Sequence, residues 1–288
     1  MERMNFAKVK EYYRLIRPQH WVKNLLIFVP LFFGRKIGIP SILLRAIGAF
    51  ITFSLAASAI YVINDVMDVE SDRKHPVKKY RPIASGRISI KSASVVMLVL
   101  MLFSVALSLM LSLELLVIIG AYIVLNILYS LKLKRLAPLD IFIVAMGFVL
   151  RVYAGGVVTN IPISNWLFLT IFLLALFVSV AKRRAEIAIL GRNASEHRET
   201  LGRYPIDFLD GLMWITASAS IVTYALYAVS KGGIMVWTVI PATYGLVRYL
   251  QIVIARGIDD PIKITFLDCH MILSLLFFLI LVVIGIYR

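Results

Sequence analysis

The chain has 288 residues, of which 60% are hydrophobic and 16% charged. Soluble domains carry roughly 45–50% apolar and about 25% charged residues, so this balance excludes an ordinary water-soluble core and points to one integral-membrane domain over 1–288. The net charge of +15 is scattered through short segments between apolar runs. That distribution fits membrane topology and anion ligands, and no nucleic-acid partner is expected.

Residues 1–18 read as an interfacial helix, with Tyr12, Leu15 and Ile16 set among Lys8, Lys10, Arg14 and Arg17. No apolar run opens the chain, so no cleavable signal peptide is expected. A transmembrane helix needs about 20 mostly apolar residues. Nine stretches qualify: 19–35, 43–65, 91–112, 114–132, 138–158, 164–182, 208–229, 234–254 and 267–287. The predicted fold is all-α, a polytopic bundle of about nine transmembrane helices. The first span is interrupted by Lys23 and Asn24 and must be short or tilted.

Lys and Arg concentrate in 1–23, 66–91, 132–137, 182–207 and 255–266. This asymmetry predicts a multi-pass protein of the cell (inner or plasma) membrane with a cytoplasmic N-terminus. The longest cytoplasmic loops, 66–91 and 182–207, are the expected active-site loops. Cys269 is the only cysteine and reads as a small packed residue.

Asn64, Asp65, Asp68 and Asp72 close the second span. On one helix they fall at about 0°, 100°, 40° and 80°, so all four share one quarter of the surface. Carboxylates that close need a cation between them, and hard oxygen ligands suit Mg²⁺ shared with substrate phosphates. The basic stretch Arg73–Gly86 follows, with Lys78 and Arg81 beside Pro82 and Gly86, as expected of a defined phosphate-binding turn. His75 reads as a loop residue. Asp140 and Arg151 lie inside the fifth span, and ionisable groups there are functional by default. Eleven residues are about three turns, so the two share a face and predict a polar cavity; Gly147 and Gly155 read as packing notches. Lys182 and Glu186 are i,i+4 and can pair, whereas Arg184 reads as a topology charge. Trp21 reads as an interfacial anchor, and Lys23 and Asn24 as interior-facing. Tyr129-Ser130-Leu131-Lys132 ends the fourth span. These sites lie at one expected leaflet level and suggest a Mg²⁺-bound, phosphorylated, water-soluble donor and a lipid acceptor. Neither a Ser-His-Asp arrangement nor a zinc site is suggested.

The nine spans and the Asn64-Asp65-x-x-Asp68-x-x-x-Asp72 motif resemble the UbiA-type superfamily of intramembrane prenyltransferases. That resemblance implies diphosphate binding through Mg²⁺. It also implies a second Asp-rich motif after the sixth span, where this chain instead has Lys182-Arg183-Arg184-Ala185-Glu186. The chain is more similar to the decaprenyl-phosphate phosphoribosyltransferase branch, through Arg17-Pro18-x-x-Trp21-Val22-Lys23-Asn24, Arg81-Pro82-Ile83-Ala84-Ser85-Gly86, Tyr129-Ser130-x-x-Leu133-Lys134, Leu139-Asp140-Ile141 through Arg151, and Lys182-Arg183-x-x-Glu186.

This branch implies phosphoribosyl diphosphate as donor and a polyprenyl phosphate as acceptor. Asn64, Asp68 and Asp72 would hold Mg²⁺, with Asp65 a ligand or a supporting partner. Lys78, Arg81, Lys132, Lys182 and Arg183 would bind the donor. Asp140 would accept from the ribose hydroxyls, and Lys23 and Arg151 would bind the acceptor phosphate. Two alternatives stand beside it: a prenyltransferase acting on an aromatic or quinone-precursor acceptor, and an anion transporter. A transporter would carry its polar site near the bilayer midplane, often with inverted repeats, and no convincing repeat is present. Oligomeric state is not legible in the sequence, nor are the roles of Asp259, Asp260 and Asp268.

Overall fold

The computed structural model describes residues 2–190, 199–256, 264–265 and 267–287, which include neither Asp259 nor Asp260. The described elements are helical throughout. They are α1 (Glu2–Ile16), α2 (Val29–Phe33), α3 (Pro40–Met67), α4 (Val69–Lys74), α5 (Ile90–Leu111), α6 (Leu113–Leu131), α7 (Leu139–Thr159), α8 (Asn165–Leu190), α9 (Ile206–Lys231), α10 (Val239–Arg256) and α11 (Cys269–Tyr287). Among the described residues eight helical stretches are long and apolar enough to cross a membrane. The chain divides into two compact units, residues 1–130 with 150–162, and 131–149 with 163–288.

In the first unit, α3 is the central element. Most of its buried positions are small: Ala46, Ala49, Thr52, Ser54, Ala56, Ala57, Ser58 and Ala59. Small side chains let helix backbones approach closely, which is how helices pack when lipid removes the hydrophobic drive. Ser104 of α5 exploits this closeness and donates to the Thr52 carbonyl at 3.0 Å. Ser89 caps the N-terminus of α5 by accepting from the Ser92 N–H at 3.1 Å. Leu15 of α1 is fully buried with Val62, Ile83, Ile88 and Ala93. The N-terminal helix is thus anchored in a core through Leu15.

The expected first span differs from the other eight. Residues Pro18–Phe28 form a 3₁₀ helix, followed by the five-residue α2. Side chains three apart eclipse in a 3₁₀ helix, so Trp21, Asn24 and Ile27 line one edge. Trp21 Nε1 donates to Ser58 Oγ at 3.0 Å, and Asn24 Nδ2 donates to Ser54 Oγ at 2.8 Å. Three 3₁₀ residues rise about 6 Å, as do four α residues, so teeth spaced by three on one segment meet teeth spaced by four on α3. The sequence reading made Trp21 only an interfacial anchor; it is a rung of this ladder. Gly155 of α7 completes the packing. A Cβ there would stand 1.9 Å from the Ile27 carbonyl oxygen, so the close approach requires glycine.

In the second unit, α8, α9, α10 and α11 surround a core that includes Phe177, Val180, Leu209, Met213 and Leu250. The helix α8 continues to Leu190, so Lys182–Glu186 lies inside a helix and not in the expected loop. Arg184, expected to point away as a topology charge, is tied down. It donates to Asp210 Oδ1 at 3.0 Å and to the Val253 and Ile254 carbonyls near the C-terminal end of α10, where a cation suits the helix dipole. Asp268 pairs with Arg248 at 2.7 Å and accepts the Met271 N–H at 3.1 Å, capping α11. The Arg248 hydrogen bond holds the Asp268 carboxyl down at about 2.

Candidate active site

The acidic motif sits where α3 hands over to α4. Asp68 ends α3, yet its N–H still bonds the Asn64 carbonyl and its own carbonyl accepts the Asp72 N–H. The i,i+4 bonding therefore runs through the junction and keeps the motif near one face. Asp65 and Asp72 are each 2% exposed. The cation that such crowded carboxylates require comes from the chain itself. Arg81 Nη1 donates to Asp72 Oδ2 at 2.7 Å and to Asp65 Oδ1 at 3.1 Å, while Arg17 Nη2 reaches the same Asp65 oxygen at 2.5 Å.

Asn64, Asp68 and Asp72 were expected around one ion, with Asp65 a fourth ligand or a supporting partner. Among the described residues no group of three His, Cys, Asp or Glu side chains is placed to hold a metal together. Arg81 occupies the space between two of the carboxylates, and Asn64 Oδ1 accepts from Ser130 Oγ at 2.6 Å. One acceptor is left over, because Asp65 Oδ2 is buried without a hydrogen-bond partner. Mg²⁺ ordinarily takes one or two carboxylates and completes its shell with water and substrate phosphate. The donor set fits an ion that arrives with a diphosphate, and it does not make a preformed three-carboxylate cage.

The loop after α4 is built as a turn. His75 Nδ1 accepts the N–H groups of Val77 and Lys78 at 3.1 and 3.2 Å, which makes His75 a local cap, as its loop reading expected. Gly86 has φ +76, and the Ser85 hydroxyl donates to the Arg81 carbonyl at 2.8 Å. This folding fixes the Arg81 backbone and leaves Lys78 half-buried beside it. Arg17, expected as a charge of the interfacial helix and the first residue of the Arg17-Pro18-x-x-Trp21 motif, is also part of the acidic cluster. Its φ of 53 and ψ of 58 are left-handed, a conformation that costs a non-glycine residue about 1 kcal/mol or more. Its guanidinium also lies 5.4 Å from the Tyr61 ring centroid. The signal for it was Pro18, which stops α1 at the preceding residue.

A second cluster in the same unit surrounds Arg151, which is 5% exposed. Its Nε donates to Asn24 Oδ1 at 2.7 Å and its Nη2 to Tyr122 Oη at 3.3 Å. The guanidinium stands 4.9 Å from the Phe53 ring centroid and 5.1 Å from that of Tyr122, within cation–π range. Asn24 thereby orients Arg151 with one end of its amide and grips α3 with the other. Lys23 is half-buried on a different edge of the 3₁₀ helix, about 120° from Asn24.

In the second unit, Asp140 has no exposed surface. Its Oδ2 accepts from Arg183 Nε at 3.1 Å, and its Oδ1 accepts the Tyr204 hydroxyl. Arg183 Nη1 goes on to Glu186 Oε2 at 2.9 Å, and Lys182 Nζ lies 4.0 Å from Glu186 Oε1. Asp140 thus counts Arg183 and Tyr204 among its partners, and Arg151 counts Asn24 and Tyr122. Lys132 is exposed just before the short 3₁₀ turn Leu133–Arg135. Tyr204 carried no sequence signal, because a lone tyrosine after a polar stretch of sequence has no periodicity to betray it.

The fold is that of a helical membrane bundle with carboxylates, arginines and lysines brought together near its helix junctions. Residues 25–278 match the UbiA prenyltransferase family, and the chain belongs to that family. It is 36% identical over 244 residues to the decaprenyl-phosphate phosphoribosyltransferase of Mycobacterium tuberculosis (strain CDC 1551 / Oshkosh), covering 82% of this chain and 81% of the relative. It is 34% identical over 272 residues to the protein of the same name from Mycolicibacterium smegmatis, covering 88% and 86%. The fold is similar to that of a UbiA homolog from Archaeoglobus fulgidus solved with GPP and Mg²⁺ bound. The TM-score is 0.73 at 18% identity, over 96% of this chain and 100% of that one. The chain is a membrane transferase.

Proposed function

We propose that this transferase moves the 5-phosphoribosyl group from phosphoribosyl diphosphate to a polyprenyl phosphate, with Mg²⁺, giving polyprenyl-phosphoryl-5-phosphoribose and diphosphate. The observation that carries the reading is the likeness, over about four-fifths of both chains, to relatives bearing the phosphoribosyltransferase name. The Lys182–Glu186 stretch within α8 supports it. Cations dominate there, and Glu186 is engaged by Lys182 and Arg183. A donor with a second phosphate, remote from its diphosphate, calls for such cations.

In the first unit, Arg81 and Lys78 are the proposed diphosphate ligands. A diphosphate competing for Arg81 would draw it from Asp72, leaving Asn64, Asp68 and Asp72, with Asp65 behind them, to hold Mg²⁺. The ion would neutralise the leaving diphosphate. In the second unit, Lys182, Arg183 and Lys132 are the proposed ligands for donor phosphate. Asp140 holds Arg183 in place, a role its burial suits better than contact with ribose. Arg151 and Lys23 are proposed for the acceptor phosphate. That acceptor is already an anion, so positioning and charge neutralisation suffice and no strong general base is needed. Attack at ribose C1 inverts that carbon. We place the site on the cytoplasmic face of the cell membrane.

The test is incubation of purified protein with labelled phosphoribosyl diphosphate, polyprenyl phosphate and Mg²⁺. The expected result is label in the lipid fraction, lost with chelator. Unlabelled lipid together with prenylation of an aromatic acid from a prenyl diphosphate would overturn the proposal.

A further inference from the structure

The segment after α8 is bonded to the 3₁₀ turn Leu133–Arg135 and to the first turn of α7. Thr200 Oγ1 donates to the Lys134 carbonyl at 2.8 Å, Arg203 Nη1 donates to the Arg135 carbonyl at 3.2 Å, and the Tyr204 hydroxyl donates to Asp140 Oδ1. Only the last of these reaches a side chain. Tyr204 is 5% exposed and its ring stacks near Phe208, with centroids 6.3 Å apart and planes 17° from parallel. The ring is therefore fixed independently of the hydroxyl.

Asp140 receives Tyr204 on one oxygen and the Nε edge of Arg183 on the other. A carboxylate held on one oxygen cannot swing freely, so the guanidinium on its second oxygen is fixed in plane. The Nη1 corner of Arg183 is fixed in turn by Glu186. We infer that Tyr204 is a positioning residue for donor binding: acting through Asp140, it sets the plane of the Arg183 guanidinium. This rests on the proposal that Arg183 is a donor ligand.

Tyr204→Phe keeps the ring and removes only the hydroxyl. It is expected to raise the donor KM about fivefold, in line with one indirect charge-assisted hydrogen bond. The acceptor KM and kcat should stay within about twofold of wild type, the scale of changes away from such contacts. In an Arg183→Lys background, where the planar fork is gone, adding Tyr204→Phe should change the donor KM no further. Thr200→Val, which cuts a neighbouring tie without touching Asp140, should leave the donor KM unaltered. Additive effects of Tyr204→Phe and Arg183→Lys, or an equal rise in Thr200→Val, would overturn the positioning role. Arginine-labelled NMR of the detergent-solubilised protein supplies a readout that needs no turnover. The Arg183 Nε–H signal should shift and broaden in Tyr204→Phe, and an unchanged signal overturns the inference whatever the substrate. A wild type that transfers no phosphoribosyl group while this signal responds would sink the functional proposal and leave the positioning role standing.

Discussion

Replacing Arg81 with glutamine removes the cation that separates two buried carboxylates. Arg81 Nη1 makes bonds of 2.7 and 3.1 Å to side chains that are 3% and 2% exposed, and is itself 28% exposed. Charge-assisted hydrogen bonds are worth about 1.5–3 kcal/mol each when well buried, and exposure of one partner pushes them to the low end. Asp65 retains Arg17 at 2.5 Å, so its loss is only partial. The expected destabilisation of Arg81→Gln is about 2–3 kcal/mol in total. The distinguishing feature is the response to metal. With the guanidinium gone, a divalent ion can take its place between Asp65 and Asp72, so Mg²⁺ should restore part of the lost stability in the variant and do little for the substrate-free wild type. Thermal unfolding in detergent, followed by tryptophan fluorescence with Mg²⁺ or with chelator, measures both terms. A variant as stable as wild type, or one whose unfolding temperature moves with Mg²⁺ no more than the wild type's, would refute the view that Arg81 and a divalent ion compete for these carboxylates.

Three other outcomes are expected. Asp68→Asn should retain the fold and lose at least about a hundredfold in Mg²⁺-dependent transfer, since one ligand carboxylate is removed; near-normal turnover in the lipid-label assay would exclude Asp68 from the metal site. Lys182→Ala should raise the donor KM about tenfold and leave the acceptor KM nearly unchanged, which steady-state titration of each substrate separates. Gly155→Ala forces a Cβ against the Ile27 carbonyl oxygen and should destabilise the protein by about 2 kcal/mol or more, read as a lowered unfolding temperature.

Much of the architecture was legible because a bilayer imposes length and apolarity on whatever crosses it. Eight of the nine expected spans are long helical stretches. The acidic motif was legible too, because four oxygen-bearing residues at the end of an apolar run carry their own geometry. What the residues touch was less legible. Spacing predicted that Asp65 and Asp72 would need a cation between them, but nothing in the spacing could say that Arg81 and Arg17 supply it. Asp140 and Arg151 read as a pair because α7 places both on one face, yet their partners come from residues far along the chain, Arg183, Tyr204, Asn24 and Tyr122. Arg184 read as a surplus charge for the same reason: the carbonyls it caps lie some seventy residues away. The 3₁₀ stretch was missed because apolar periodicity over eleven residues with a lysine and two amides does not distinguish three residues per turn from 3.6.

That stretch bears on how the first apolar segment meets the bilayer. An α-helix of sixteen residues would reach only about 24 Å, well short of the roughly 30 Å hydrocarbon slab. Residues Pro18–Phe28 advance by the longer 3₁₀ step, and the five residues of α2 add an ordinary turn and a half. Laid end to end the two pieces would measure about 30 Å, so the tighter coil gives sixteen residues more reach than an α-helix of the same count.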